Sequence, residues 1–381
     1  KTFQSILLLY STSYFSLQAA GTSTFTSESA AFHTSQRSSP HYCRHGGGSG
    51  CRSRYISCFS SVSRPSSSSS SLKFSSVPPH NLDSVDYLAE QLSQRKFKNI
   101  VVVVGAGASV NAGIPDFRTP GTGLYDQLQE YSLPRPEAIF DLNFFKMNPK
   151  PFLRLARSIW PGRNNESPKP TVTHSFLRVL QEEQILRRIY TQNIDGLESI
   201  SGIDDDKLVE CHGHFRSASC ISCGKSMDAN RYQEIIFRTT KTGRSIDDNG
   251  DDGEDDNNNN IPTCTGCRSF VKPDIVFFGE ALPMRFQSLI LEDVERCDLL
   301  VVIGSSLLVD PVASIPTWVS VDCPRVLLNL EVVGDFNNKS GKRTDIILQG
   351  DCDESVRRLC QSVGWESKID QLYQKTTNGN N

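Results

Sequence analysis

Hydrophobic and polar positions along this chain change period several times. Ile100-Val101-Val102-Val103-Val104 is an unbroken β-branched run, the pattern of a strand buried on both faces of a parallel sheet. Just before it, Val85, Leu88, Ala89 and Leu92 recur at the spacing of one helix face. Helical spacing returns over 136–160, through Ile139, Phe140, Phe144 and Phe145 and then Phe152, Leu155, Ala156 and Ile159, and again over 173–184. Ile185 to Thr191 and Lys207 to Glu210 predict strands. Four short apolar runs follow at Ile275–Phe278, Leu299–Ile303, Val326–Leu330 and Ile346–Leu348. Helix-like segments separate them: Phe286, Leu289, Ile290 and Val294 share one face, and Asp310-Pro311 opens another helix. Asp353 caps a last one, which carries Val356, Leu359, Cys360 and Val363 and stops at Gly364. Strands alternating with helices predict an α/β fold, a Rossmann-like doubly wound parallel sheet.

Polar groups cluster where those strands end, the place where an open α/β sheet holds its ligands. Gly105-Ala106-Gly107-Ala108-Ser109 follows the first strand directly. Its paired glycines permit a tight turn and close backbone approach to a pyrophosphate. The dinucleotide fingerprint is incomplete, because Val110 stands where a third small residue is expected. The segment Ile114-Pro115-Asp116-Phe117-Arg118 adds an acid, an aromatic ring and a cation instead of a second strand. Further clusters are Gln192, Asn193 and Asp195; His212; Gly304-Ser305-Ser306; Asn329 and Glu331; and Gly350-Asp351-Cys352. Five clusters after five strands form the rim of one crevice. His212 can take and give protons near neutrality, with His214 and His174 as alternatives. His174 begins an apolar helix, where packing or capping suits it better.

Cysteine spacing adds a metal. Cys220-x-x-Cys223 and Cys264-x-x-Cys267 offer four thiolates, enough to close a tetrahedral Zn²⁺ site with no position left for water. The expected role is structural, holding a small zinc-ribbon module at about 215–272. Between the pairs, residues 247–260 carry seven acids and then Asn257 to Asn260, a solvated insert. Cys297, Cys323, Cys352 and Cys360 stand singly in apolar or mixed stretches, as small buried hydrophobes do.

Charge is unevenly distributed. The chain of 381 residues has a formal net charge of −3, yet residues 1–80 hold seven Lys/Arg against the single acid Glu28. No direct nucleic-acid binding is expected from that balance, and no membrane span, since no run of 18 apolar residues occurs. The Ser-rich, Arg-containing, acid-poor segment 1–80 has the composition of an organelle transit peptide. A secretory signal and a plain disordered tail are the competing readings. A catalytic domain is expected over 81–365, followed by a loose polar tail at 366–381.

Taken together, these residues resemble the sirtuin family. The resemblance rests on Gly105-Ala106-Gly107-x-Ser109, Gly113 to Arg118, Thr191-Gln192-Asn193-Ile194-Asp195, His212-Gly213 and the two Cys-x-x-Cys pairs. Lys272-Pro273-Asp274-Ile275-Val276-Phe277-Phe278-Gly279-Glu280 and Gly304-Ser305-Ser306-Leu307 extend it, over about 82–365. Pro136 to Phe140 and Asn148 to Phe152 are most similar to the class I branch and its mitochondrial deacetylases.

The resemblance implies an NAD⁺-dependent protein-lysine deacetylase with acetylated lysine on proteins as substrate, NAD⁺ as co-substrate and structural Zn²⁺. It implies that the acetyl oxygen attacks C1′ of the nicotinamide ribose, that nicotinamide leaves, and that His212 is the base on a ribose hydroxyl. Asn193 also belongs to the catalytic centre by this carry-over. Asn193, Asp195 and Ile114 would line the nicotinamide pocket and Phe117 would shield the reacting sugar. Ala106, Asp116, Arg118, Tyr125 and Gln192 would contact NAD⁺ near that end, with Gly105, Gly107 and Ser109 at the pyrophosphate. Gly304, Ser305, Ser306, Asn329, Glu331 and Cys352 would hold the ribose and adenine. Val276, Phe277, Phe278 and Gly279 would pair with the substrate peptide as an added strand. Departures from the family pattern are Ala108, Cys211 and Leu330. Tyr125 is followed by Leu128, not by the Arg that desuccinylating members place three residues on, which favours acetyl over succinyl. The expected location is the mitochondrial matrix, with cytoplasm or nucleus as alternatives. Mono-ADP-ribosyl transfer and a catalytically silent NAD⁺-sensing scaffold are the rival functions.

Overall fold

A computed structural model describes residues 84–116, 123, 128, 133–161, 168–238, 260–337 and 343–378. The expected transit segment 1–80 and residues 247–259 of the acidic insert lie outside them, as do Phe117, Arg118 and Tyr125. Helix α1 (Ser84–Ser93) leads into β1 (Ile100–Val104), whose five residues are all buried. A 3₁₀ turn over Ala106–Ala112 follows, then another over Pro136–Phe140 and the helices α2 (Leu142–Met147), α3 (Lys150–Ile159) and α4 (Val172–Glu182). Strand β2 (Leu186–Thr191), the short helix α5 (Leu197–Ile200) and β3 (Leu208–Glu210) come next. The chain then makes β4 (Gly213–Cys220), β5 (Ser226–Asp228), α6 (Ala229–Ile236) and β6 (Val271–Ile275). It returns through α7 (Met284–Arg296), β7 (Leu299–Ile303), α8 (Ile315–Trp318), β8 (Arg325–Asn329) and β9 (Asp345–Gln349). Helices α9 (Cys352–Val363) and α10 (Glu366–Thr377) end the described chain.

Six strands form one sheet in the order β3-β2-β1-β7-β8-β9, every pairing parallel. The expected Rossmann-like sheet is therefore present. Alternation along β1 explains its burial: Ile100, Val102 and Val104 pack under the helices of one face, α1, α4 and α9, while Val101 and Val103 pack with Phe286, Ile290 and Val294 of α7 on the other. Strand order reverses between β1 and β7, so their C-terminal ends open a crevice at the point where such sheets bind ligands.

Four expectations are corrected. The helix expected to be capped by Asp353 is capped by Asp351, whose carboxylate accepts from the Glu354 N–H, while Asp353 accepts from Thr173. The apolar run Ile275–Phe278 does not join the parallel sheet; Ile275 ends β6 in a separate antiparallel sheet of order β5-β4-β6. The helix predicted at Asp310-Pro311 begins later, as a 3₁₀ turn over Val312–Ser314 leading into α8, and Asp310 accepts a hydrogen bond from the Ser314 hydroxyl (2.6 Å). The tail expected to be loose from 366 is helical to Thr377, and Ile369 is buried at 1% exposure with Leu372 and Tyr373 packed beside the core. Those three residues share one helix face at i, i+3 and i+4, a stripe too narrow to stand out in so polar a segment. Cys297 and Cys323, isolated in sequence, are buried with sulfurs 3.7 Å apart.

Candidate active site and metal centre

The loops after β1 and β7 are locked backbone to backbone. Gly105 N–H donates to the Ile303 carbonyl (2.9 Å), and Gly107 N–H to that of Gly304 (2.8 Å). A Cβ on Gly105 would lie 2.6 Å from the Gly304 oxygen, and one on Gly107 2.7 Å from the Gly304 Cα. These glycines are thus required by the neighbouring loop, a cause absent from the expectation that a ligand alone requires them. Gly304 is the tightest member: its φ is +61° and a Cβ would approach the Ala108 nitrogen to 2.5 Å. Gly304→Ala is expected to cost on the order of 2–3 kcal/mol of stability, read by urea unfolding, because the strained backbone and the clash act together.

Strand β2 delivers the next cluster into the crevice. Gln192 N–H donates to the Val104 carbonyl (2.9 Å), and its side-chain oxygen accepts from the Ser305 hydroxyl (2.6 Å). Asn193 is buried; its side-chain NH₂ donates to the Gly105 carbonyl (3.1 Å) and the Ser109 hydroxyl (3.3 Å). Ser109 in turn donates to Asp195 (2.7 Å), whose other oxygen accepts from the Leu197 N–H (2.9 Å). Gly loop, Asn193, Ser109 and Asp195 therefore form one chain of hydrogen bonds. Behind it lie residues the sequence reading did not assign to the site. Thr191 donates to Glu198 (2.6 Å) and accepts from the Asn193 N–H (3.1 Å).

His212 stands on the residue before β4. Its Nδ1 lies 2.9 Å from the Gln192 carbonyl, which can only accept, so Nδ1 carries the proton and Nε2 is left as a base. That Nε2 is buried and has no hydrogen-bond partner among the described residues. Burial holds the His212 pKa below its ordinary value, partly opposed by the Gln192 carbonyl. The imidazole is accordingly neutral at working pH. His214 lacks such an anchor, and His174 has the capping role: its Nδ1 accepts from the Thr171 N–H (3.2 Å) at the start of α4. Gly213, with φ +78°, fits beside β6 only because a Cβ there would fall 1.9 Å from the Asp274 oxygen.

The segment expected to meet substrate is held at both ends. Val276 N–H donates to the His212 carbonyl (2.8 Å), and Phe278 pairs with the chain at Phe140 and Leu142 (2.8 and 3.2 Å). Phe277 is buried at 1% exposure, stacked edge-on with Phe140, Phe145 and Phe152. Its N–H donates to Glu280 (2.8 Å), and Glu280 is paired with the buried Lys272 (2.9 Å), which also donates to the Ile275 carbonyl (2.6 Å). The backbone groups of Phe277 and Phe278 are therefore engaged within the chain. Among the described residues, the Val276 carbonyl and the backbone of Gly279 make no such bond. Of the residues expected at the ribose and adenine, Ser305 is buried, whereas Ser306 and Glu331 are exposed. Asn329 donates to the Glu331 carbonyl (2.8 Å). Cys352 turns its thiol into the core, where burial pushes it up to about 12.

At the far end of β4, Cys220, Cys223, Cys264 and Cys267 place their sulfurs within 4.8 Å of one another. The pairs Cys220–Cys267 and Cys223–Cys264 are 3.4 and 3.6 Å apart. Zn–S bonds of about 2.3 Å put ligand sulfurs about 3.8 Å apart in a tetrahedron, so the set fits the ion. Backbone N–H groups of Ser222 and Gly266 point at Cys220 and Cys264 (3.5 and 3.4 Å), stabilising thiolate charge. N–H groups near Cys264 hold its thiol down to about 6.

Comparison with known proteins agrees with this geometry. The Sir2 family pattern matches residues 105–311. The chain belongs to the Sir2 family. This sirtuin is 44% identical over 292 residues to the NAD-dependent protein deacetylase sirtuin-3 of Mus musculus, covering 77% of the chain and 80% of the relative. It is 41% identical over 288 residues to the NAD-dependent protein deacetylase hst2 of Schizosaccharomyces pombe (76% and 79%). It is 44% identical over 298 residues to the NAD-dependent deacetylase sir2A of Dictyostelium discoideum, covering 76% of this chain and 53% of that longer protein. As in the fold, the sirtuin match leaves the first 80 residues unaddressed.

Proposed function

We propose that this sirtuin is an NAD⁺-dependent protein-lysine deacetylase that moves the acetyl group of acetyl-lysine onto ADP-ribose and releases nicotinamide. The observation that carries the proposal is the neutral His212, its Nε2 lone pair buried and unpartnered beside the Asn193–Asp195 turn. When bound, NAD⁺ supplies an electrophilic ribose carbon with nicotinamide as leaving group, so neither a nucleophilic serine nor an open metal is needed. The protein's part is then to orient and to move a proton. Asn193 and Asp195, held by Ser109 and the Gly loop, fix the nicotinamide end. Ser305 and Gln192, which brace each other, would hold the ribose, and His212 Nε2 would take the proton of a ribose hydroxyl. Val276 and Gly279 offer the backbone groups for the substrate peptide. The zinc centre lies outside this chemistry because its four thiolates fill the coordination sphere.

Incubation of the purified chain with an acetyl-lysine peptide and NAD⁺, followed by mass, tests the reading. Deacetylation is expected only with NAD⁺, with O-acetyl-ADP-ribose formed in equal amount. Peptide hydrolysis without NAD⁺, or ADP-ribose attached to the peptide, would overturn it. We also infer a mitochondrial matrix location, supported by the acid-poor, Arg- and Ser-rich composition of residues 1–80. Fused to a fluorescent reporter, residues 1–80 should direct it to mitochondria; a diffuse cytosolic signal speaks against the inference.

A further inference from the structure

Behind the Asn193–Asp195 turn lies a buried cluster that the chemistry above does not use. His174, Asp195 and Glu198 bring their side-chain ligand atoms within 4.8 Å of one another. His174 is 0% and Glu198 1% exposed. Since His174 Nδ1 accepts from the Thr171 N–H, its proton is on Nε2, and that Nε2 is buried without a hydrogen-bond partner. The His174 ring is thus packed beside two carboxyl groups without a hydrogen bond to either. Two carboxylates this close cannot both be ionised in a buried setting without a compensating charge. Among the described residues, the other groups facing the cluster do not supply one. Asp353 of α9, held by Thr173, and Glu210 of β3 are acids, and the Cys211 thiol is kept neutral by burial.

We propose that Glu198 is a positioning residue that holds a proton behind the active site, with His174 tuning it, so that one negative charge and not two is present at the Asp195 turn. Glu198 is the holder: it is 1% exposed, its carboxyl accepts from the Thr191 hydroxyl, and it lies beside Asp195 and His174. Burial, then the charge of Asp195, raises the Glu198 pKa to about 8. Loss of the proton would set a second charge against Asp195, which is half-buried where Glu198 is buried, and would load its bonds to Ser109 and the Leu197 N–H. Displacement of Asp195 breaks the Ser109–Asn193 chain that shapes the nicotinamide end. This assignment rests on the function proposed above, but its first test does not require activity.

Full-length protein labelled with ¹³C at glutamate carboxyls should show one signal titrating near pH 8 that is absent from Glu198→Gln. All glutamate signals titrating in the ordinary range near 4.5 would overturn the proposal. Melting gives an independent reading. A carboxyl with a raised folded pKa takes up a proton on folding between 4.5 and 8, so stability is fullest below that window and falls as pH rises through it. Glu198→Gln should flatten that fall, and a melting profile that keeps the wild-type slope counts against the idea. In kinetics, the wild-type KM for NAD⁺ should rise by about tenfold between roughly pH 7 and 9 while the peptide KM does not move, and Glu198→Gln should show no such rise. A merely structural contact would shift both KM values at every pH. His174→Gln keeps an acceptor for Thr171 and a polar group beside the carboxyls and should preserve the titration. His174→Leu should move the midpoint higher, and an unmoved midpoint removes His174 from the assignment.

Discussion

The His212→Ala enzyme should lose deacetylation by about 10²–10⁴-fold in kcat, the usual worth of a positioned general base. That corresponds to about 3–5 kcal/mol of transition-state stabilisation at roughly 1.4 kcal/mol per tenfold. The loss should fall on kcat and not on NAD⁺ binding, because the groups proposed to fix the nicotinamide end, Asn193, Ser109 and Asp195, bond to one another and not to His212. NAD⁺ affinity by calorimetry should therefore stay within a few-fold of wild type. The pH profile carries a second signature. A base works when neutral, and burial places the His212 pKa below its ordinary 6.5. The acid limb of kcat/KM should therefore have its midpoint below 6.5 and disappear in the variant's residual activity. A fully active His212→Ala enzyme would move the base elsewhere, with His214 the next residue to test.

The second large effect is expected from Cys264→Ser. Structural zinc contributes on the order of 10–16 kcal/mol of apparent binding energy in small peptides. The module it closes is a three-strand sheet with one helix, α6, packed against it. Cys220 and Cys264 also pack in the hydrophobic cluster shared with Phe145, Phe152 and Phe277, so loss of the ion is transmitted to that core. The consequence for activity follows from connectivity. His212 immediately precedes β4, and Val276 immediately follows β6, the two strands bonded through the module. Unfolding it releases the base and the substrate-facing backbone together. The variant should bind no zinc by metal analysis and lose at least an order of magnitude in kcat/KM, while the parallel sheet still unfolds cooperatively. A zinc-free variant with wild-type activity would show that the module does not position the site.

Much of this molecule is legible one neighbour at a time. The five-residue β-branched run at 100–104, the helical stripes before and after it, and the alternation that follows suffice to predict a doubly wound sheet, since each depends on spacing within a few residues. The four cysteines are legible for the same reason, because each Cys-x-x-Cys pair is local. Where the sequence misled, the information was not local. The Ile275–Phe278 run has the composition of a parallel strand, but its end is claimed by β4 and by Phe140, so it joins another sheet. Segment 366–377 has three apolar residues on one face, enough to dock on the core once that core exists, too few to signal a helix alone.

By itself, then, the sequence determined the chemical inventory and the order in which it is delivered: glycine loop, Asn and Asp after β2, His before the zinc module, serines after β7. These are properties of residue type and of spacing along the chain. Tertiary structure alone decided how the inventory is wired. The bond from Asn193 to Gly105 spans 88 residues, and that from Ser305 to Gln192 spans 113. Whether glycine is needed at 105, 107 and 304, which nitrogen of His212 carries the proton, and that Glu198 and His174 share a buried pocket with Asp195 all depend on such pairings. No periodicity encodes them, because they come from backbones and side chains that meet only when the parallel sheet has brought the ends of β1, β2 and β7 side by side.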